Sequence, residues 1–185
     1  QLAESPIQSV SINCMGDVEE SKPIALSFLI GLIQDMTAAR INFVNADIVA
    51  KERGMDYSHS LNSETVPFVN LIKIQLITEE DDITLAGSVF GGYNFRINNI
   101  MGYELDFRPE GNMLFLQNKD VPGVIGKVGM ILSDSNINIG EYILSRTPSE
   151  KNAYSVIKVD NKINSDLFNQ LINIDEILTI KQLSV

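Results

Sequence analysis

The chain has 185 residues, 44% of them hydrophobic and 21% charged, with a formal net charge of −10. That composition supports a folded core and argues against disorder, and the acidic balance argues against nonspecific binding to nucleic acid, whose phosphates attract Lys/Arg-rich surfaces. One cysteine (Cys14) excludes an internal disulfide and a multi-cysteine metal site, and one histidine (His59) excludes any motif that needs two.

In chain order, the residues from Ile7 to Cys14 (I-Q-S-V-S-I-N-C) form a β-rich stretch. Ser21 is read as a helix N-cap, with Pro23 in the first turn, and the apolar spacing predicts a mostly buried helix from Ile24 to Met36. Ala25, Phe28, Leu29, Leu32 and Met36 carry its stripe, which Ile30 and Ile33 widen. The apolar run from Ile24 to Ile33 has about half of the roughly twenty residues a membrane span needs. A second helix is expected from Asn45 to Arg53, stopped by Gly54, followed by a polar loop over residues 55–65. Val69 to Thr78 alternates as a strand, and Asp81-Asp82 turns it into a second strand that reaches Gly92. Short strands follow at Arg96–Ile100 and Tyr103–Phe107, joined at Met101-Gly102.

A composition shift falls at Arg108-Pro109-Glu110-Gly111-Asn112. Residues 1–112 hold 7 basic and 16 acidic side chains; residues 113–185 hold 7 and 8. Pro and Gly there mark a turn, and the domain boundary is placed at this point, giving domains 1–112 and 113–185. The second part reads as a strand at Met113–Gln117 and a helix opened by Pro122, with Val124, Ile125, Val128, Ile131 and Leu132 on one face. Strands follow at Asn136–Ser145 and Ala153–Val159, then a helix capped by Ser165 and a last strand at Ile177–Leu183. The fold class is therefore α+β: a mixed-sheet domain followed by a β-α-β-β-α-β, ferredoxin-like unit.

Few residues carry obvious chemistry. Neither a G-x-G-x-x-G dinucleotide loop nor a G-x-x-x-x-G-K-[ST] phosphate loop is present. His59 has no orienting partner in sequence and reads as a solvated loop histidine rather than a general base. Cys14 reads as a buried thiol. Glu79 to Asp82 reads as a solvated hairpin turn rather than a cation site. The informative stretch runs from Asn118 to Gly126, where a strand ends at polar residues and a helix begins with Pro and Gly. Helix-start N–H groups accept an anion, and Asp120 beside them suits an ammonium, so the pair suits a zwitterion. On the residues alone, an equally good reading makes Asp120 a helix cap and Asn138 a turn residue.

The stretch N-K-D-V-P-G-V-I-G-K-V-G-M-I-L-S-D-S-N-I-N-I (Asn118 to Ile139) resembles the signature of an ACT domain, an amino-acid-sensing module. With N-F-V-N-A-D-I-V-A-K-E-R-G (Asn42 to Gly54), A-G-S-V-F-G-G (Ala86 to Gly92) and G-Y-E-L-D-F-R-P-E-G-N-M-L (Gly102 to Leu114), nearly the whole chain resembles the C-terminal regulatory part of the D-3-phosphoglycerate dehydrogenase family. The resemblance implies an intervening allosteric substrate-binding domain followed by an ACT domain. It implies that L-serine or another small amino acid binds between the ACT domains of two subunits, at Asn118, Asp120 and Asn138, with Val121 and Ile139 adjoining. The position of Asn118 is often histidine or tyrosine in relatives, so this chain offers a hydrogen bond there without charge. The resemblance also implies an anion or substrate site at Arg96, Arg108 and Lys158. Two neighbouring positions that are basic in some relatives are Tyr103 and Glu104 here, and Lys51 and Arg53 are further basic candidates that serve equally well as helix C-terminal charges.

The catalytic and NAD-binding domains of such an enzyme would precede Gln1, so the resemblance implies no catalytic residue, metal or cofactor within these residues, NAD in the parent protein, a homodimer or larger assembly, and a cytoplasmic location. A chain starting at Gln1 rather than Met agrees with a piece of something longer. Two other function classes stand beside this one: the β part of an iron–sulfur L-serine dehydratase, whose S-S-S-H-T type segment is not found, and a standalone amino-acid-binding regulator.

Overall fold

In the computed structural model, which describes residues 5–34, 36–62, 67–147 and 151–185, the alternating run at the start forms strand β1 (Ile7–Gly16). Its Val10, Ile12 and Cys14 point to one face and are 0–1% exposed. Helix α1 (Ser21–Gln34) packs on that face through Ala25, Leu26, Leu29 and Ile33. Ser21 is the first helical residue rather than a cap, and its hydroxyl lies 2.9 Å from His59 Nδ1. Met36, expected on the buried stripe, is 47% exposed. The helix has ended by then, and Leu26 takes the buried place instead.

Helix α2 (Ala46–Glu52) is stopped where expected, with Gly54 at φ 72° and its N–H on the Lys51 carbonyl. Residues 56–62 of the expected loop form a strand instead, β2 (Asp56–Asn62), paired parallel to β1. Residues 63–65 of that expectation lie outside the described residues. The strand escapes a periodicity reading because it is an edge with both faces largely exposed, so polar residues suit every position. His59 therefore sits in a strand, stacked on Tyr57 with ring centroids 6.4 Å apart.

Strands β3 (Asn70–Thr78), β4 (Asp82–Phe90) and β5 (Asn94–Ile100) continue antiparallel from β1, giving the order β2-β1-β3-β4-β5. The acidic run makes the β3–β4 turn as expected: Thr78 Oγ1 accepts from Asp81 N at 2.8 Å. Cys14 is fully buried, and desolvation pushes its thiol above the usual range.

The chain divides into two compact units, Leu2–Met101 and Gly102–Val185. The second unit begins with β6 (Tyr103–Phe107) and then runs β7 (Asn112–Lys119), α3 (Val124–Asp134), β8 (Ile139–Arg146), β9 (Asn152–Val159), α4 (Ser165–Ile172) and β10 (Ile177–Ser184). The last four strands form a sheet in the order β10-β7-β9-β8, every neighbouring pair antiparallel. Two antiparallel steps separate β7 from β8, so those two strands point the same way. Leu114, Leu116, Ile157 and Ile180 face the helices, where Val124, Val128, Leu132, Leu167 and Leu171 cover them. Ile125, expected on that face, is 51% exposed. The opposite face carries Phe115 and Tyr154, which meet Phe107 and Tyr103 of β6. Burial there, with the neighbouring Tyr103 adding to it, pushes the Tyr154 phenol up to about 12. The cap of α4 is Asn164, one residue before the expected Ser165, and its Oδ1 accepts from Leu167 N at 2.9 Å. Among the described residues no helix is long and apolar enough to cross a membrane.

Candidate functional site

Strand β7 ends at Asn118-Lys119, and the chain passes Asp120, Val121 and Pro122 before α3 begins. The turn is held by backbone bonds: Lys119 N to Glu176 O at 2.9 Å, Asp120 N to Lys151 O at 2.8 Å, and Val121 N to Lys119 O at 2.9 Å. Gly123 sits just before the helix at φ 97°, ψ −17°, a left-handed conformation that disfavours a Cβ. No side chain caps α3, and the first-turn N–H groups have no intrahelical acceptor. Asp120 is therefore not a helix cap. Its Oδ1 instead lies 3.2 Å from Arg146 Nε at the end of β8.

These groups surround a cavity of about 390 Å³ lined by Asn118, Asp120, Val121, Pro122, Gly123, Val124, Ile125, Leu144 and Arg146. Asn118 is 3% exposed and donates from Nδ2 to Lys119 O at 2.8 Å. Asn118 and Arg146 lie on one row of the sheet, each the register partner of Ala153. Below the helix start, Lys127 Nζ lies 2.6 Å from Glu176 Oε1, and that hydrogen bond holds the Glu176 carboxyl below the usual carboxylate range. Among its described lining residues the cavity thus presents one carboxylate, one guanidinium, the Asn118 amide and a helix start on otherwise apolar walls. It can hold a small molecule carrying both signs of charge.

The structure gathers three of the five expected effector residues here: Asn118, Asp120 and Val121. Asn138 and Ile139 lie at the start of β8, with Ile139 opposite Val159 and hence at the Asn112 end of β7. Asn138 Nδ2 is 3.2 Å from Asp160 Oδ2. With about 3.3 Å of rise per residue, the seven steps from Ile139 to Arg146 separate the two groups by roughly 20 Å within one chain. Of the expected anion residues, Arg96 lies on β5 in the first unit, whereas Arg108 and Lys158 lie in the second. Lys158 Nζ faces two carboxylates, Glu141 at 3.1 Å and Glu110 at 3.8 Å. Arg53 donates from Nη2 to Met36 O at 2.8 Å, while Lys51 occupies the last turn of α2. Arg146 was not legible as a site residue. Its signal is topological: β7 and β8 run the same way on either side of β9, which brings their carboxyl ends together. Among the described residues no group of His, Cys, Asp and Glu is placed to hold a metal ion.

An α+β unit with a cavity at the carboxyl ends of two strands is therefore the class of structure present. Residues 1–101 match the family model of the D-3-phosphoglycerate dehydrogenase intervening domain, and the chain belongs to that family. It is 30% identical over 183 residues to D-3-phosphoglycerate dehydrogenase of Bacillus subtilis, covering 98% of this chain and 35% of that protein. It is 29% identical over 187 residues to the enzyme of the same name from Methanocaldococcus jannaschii, covering 100% and 35%. The one from Archaeoglobus fulgidus is 27% identical over 176 residues, covering 93% and 33%. The chain spans about a third of the length of these curated relatives.

Proposed function

We propose that the chain is the regulatory C-terminal part of an NAD-dependent D-3-phosphoglycerate dehydrogenase, acting in the cytoplasm in L-serine biosynthesis, and that it carries no catalytic or NAD-binding residue itself. Residues 1–112 are read as the intervening allosteric substrate-binding domain and 113–185 as an ACT domain. The observation that carries the effector role is the cavity that brings Asp120 beside the uncapped start of α3. Asp120 takes the ammonium of L-serine or another small amino acid, and the helix-start N–H groups favour its carboxylate. Binding then shifts domain arrangements by its differential affinity for them, typically by about 1–3 kcal/mol.

Titration calorimetry with L-serine against D-serine tests this. The L isomer is expected to bind, and Asp120→Ala to weaken it by at least tenfold, since removing one member of a charged hydrogen bond costs about 1.5–3 kcal/mol. An Asp120→Ala variant of unchanged affinity would remove the assigned site.

The reading also needs two copies. Asn138 and Ile139 cannot join Asp120 within one chain, whereas a second copy paired antiparallel along the edge strand β8 carries its own Asn138 toward Asp120. Sedimentation at micromolar concentration is expected to show at least a dimer; a monomer alone would refute the shared site. The anion-binding role of Arg96, Arg108 and Lys158 rests on the family resemblance, and an anion at Lys158 competes with Glu110 and Glu141.

A further inference from the structure

We propose that Arg146 determines the specificity of the cavity by binding the effector's carboxylate, so that an α-amino acid enters as a zwitterion inserted into the Asp120–Arg146 pair. The proposal deepens the effector reading above and rests on it. Among the described residues lining the cavity, Arg146 is the only guanidinium and Asp120 the only carboxylate. The two stand 3.2 Å apart, with side chains 64% and 30% exposed. An ion pair that open to water contributes little, so separating it costs little.

An α-amino acid offers each member a replacement partner. Its ammonium takes the place of the guanidinium at Asp120, and its carboxylate takes the place of Asp120 at the guanidinium. One short charge pair becomes two, and the planar fork of an arginine binds a carboxylate through two parallel hydrogen bonds. The apolar walls at Val121, Ile125 and Leu144 keep solvent away from part of this exchange, which strengthens it. Amines and amides gain no such second contact. They take Asp120 from its partner and leave the guanidinium with water, which makes Arg146 a filter for the carboxylate.

The test is calorimetry on the full chain with L-serine and with L-serinamide, which keeps the ammonium and lacks the carboxylate, for the unaltered protein, Arg146→Gln and Arg146→Lys. Arg146→Gln is expected to weaken L-serine by at least tenfold, and Arg146→Lys by a smaller factor, because it keeps the charge and loses the fork. L-Serinamide is expected to bind weakly and equally, within about twofold, to the unaltered protein and Arg146→Gln. A structural role alone would lower both ligands together. Unchanged L-serine binding by Arg146→Gln, or an equal loss for the two ligands, overturns the inference and leaves the effector reading standing. An unaltered protein that binds no L-serine overturns both.

Discussion

Replacing Gly16 by alanine is expected to destabilise the first unit by about 3 kcal/mol or more, combining a left-handed backbone with an overpacked contact. Gly16 ends β1 at φ 75°, a region L side chains rarely adopt. A Cβ there would also run into the carbonyl oxygen of Val69. That carbonyl cannot easily give way, because Asp17 N donates to it at 2.7 Å and the next residue, Asn70, begins β3 opposite Gly16. Met15 and Leu71, one step further in, anchor the same crossing in a small core cluster with Ala86. The natural comparison is Gly54→Ala. Gly54 has nearly the same φ, 72°, but open space where its Cβ would go, so only the conformational penalty of about 1–2 kcal/mol applies. Native-state hydrogen exchange of the β1 and β3 amides reads the difference: Gly16→Ala is expected to lower protection by more than about a hundredfold. Equal effects from the two variants would mean that the Val69 carbonyl moves aside.

The features that sequence made legible have physical causes. β1 alternates because it lays one face on the core, whereas β7 and β9 are buried on both faces and read as near-continuous apolar runs. Helix α2 ended where glycine permits a positive φ. The features that escaped are those whose residues answer to no single neighbour in sequence. β2 is an exposed edge, and nothing in D-Y-S-H-S-L-N separates such a strand from a polar loop. Its histidine looked solitary because Ser21, its hydrogen-bond partner, is 38 residues away. Helix α1 is apolar almost all round, so its burial was plain but the buried face was not: Leu26 is inside and Met36 outside.

The candidate site divides the same way. Asn118, Asp120 and Val121 are contiguous, and the Pro-Gly helix start marks them. Arg146 joins them only because two antiparallel pairings, β7 with β9 and β9 with β8, turn β8 parallel to β7 and bring their carboxyl ends together. The same topology sends Asn138 to the far end of the sheet. Asn138 follows the end of α3, where the chain enters β8, and not its beginning. One arrangement therefore both adds a charge pair to the cavity and keeps Asn138 out of reach of Asp120 within one chain.

The position of that cavity depends on α3, and α3 depends on a short stripe. Val124, Val128 and Leu132, four residues apart, are 0–3% exposed and lie in the core that includes Leu114, Leu116 and Ile157. Truncating Leu132 to alanine is expected to cost about 2–5 kcal/mol, the lost transfer energy plus the cavity left under a helix that cannot fully collapse onto the sheet. In a unit of this size 1 kcal/mol moves a thermal midpoint by about 4–8 °C, so a drop on the order of 10 °C or more is expected for the second unit by circular dichroism. Ile125, one residue into the same helix, is 51% exposed and lines the cavity instead of the core. Its truncation should leave stability within about 0.5 kcal/mol of the starting value. A stability loss from Ile125→Ala as large as that from Leu132→Ala would mean that α3 presents a different face to the sheet, and would displace the walls of the cavity along with it.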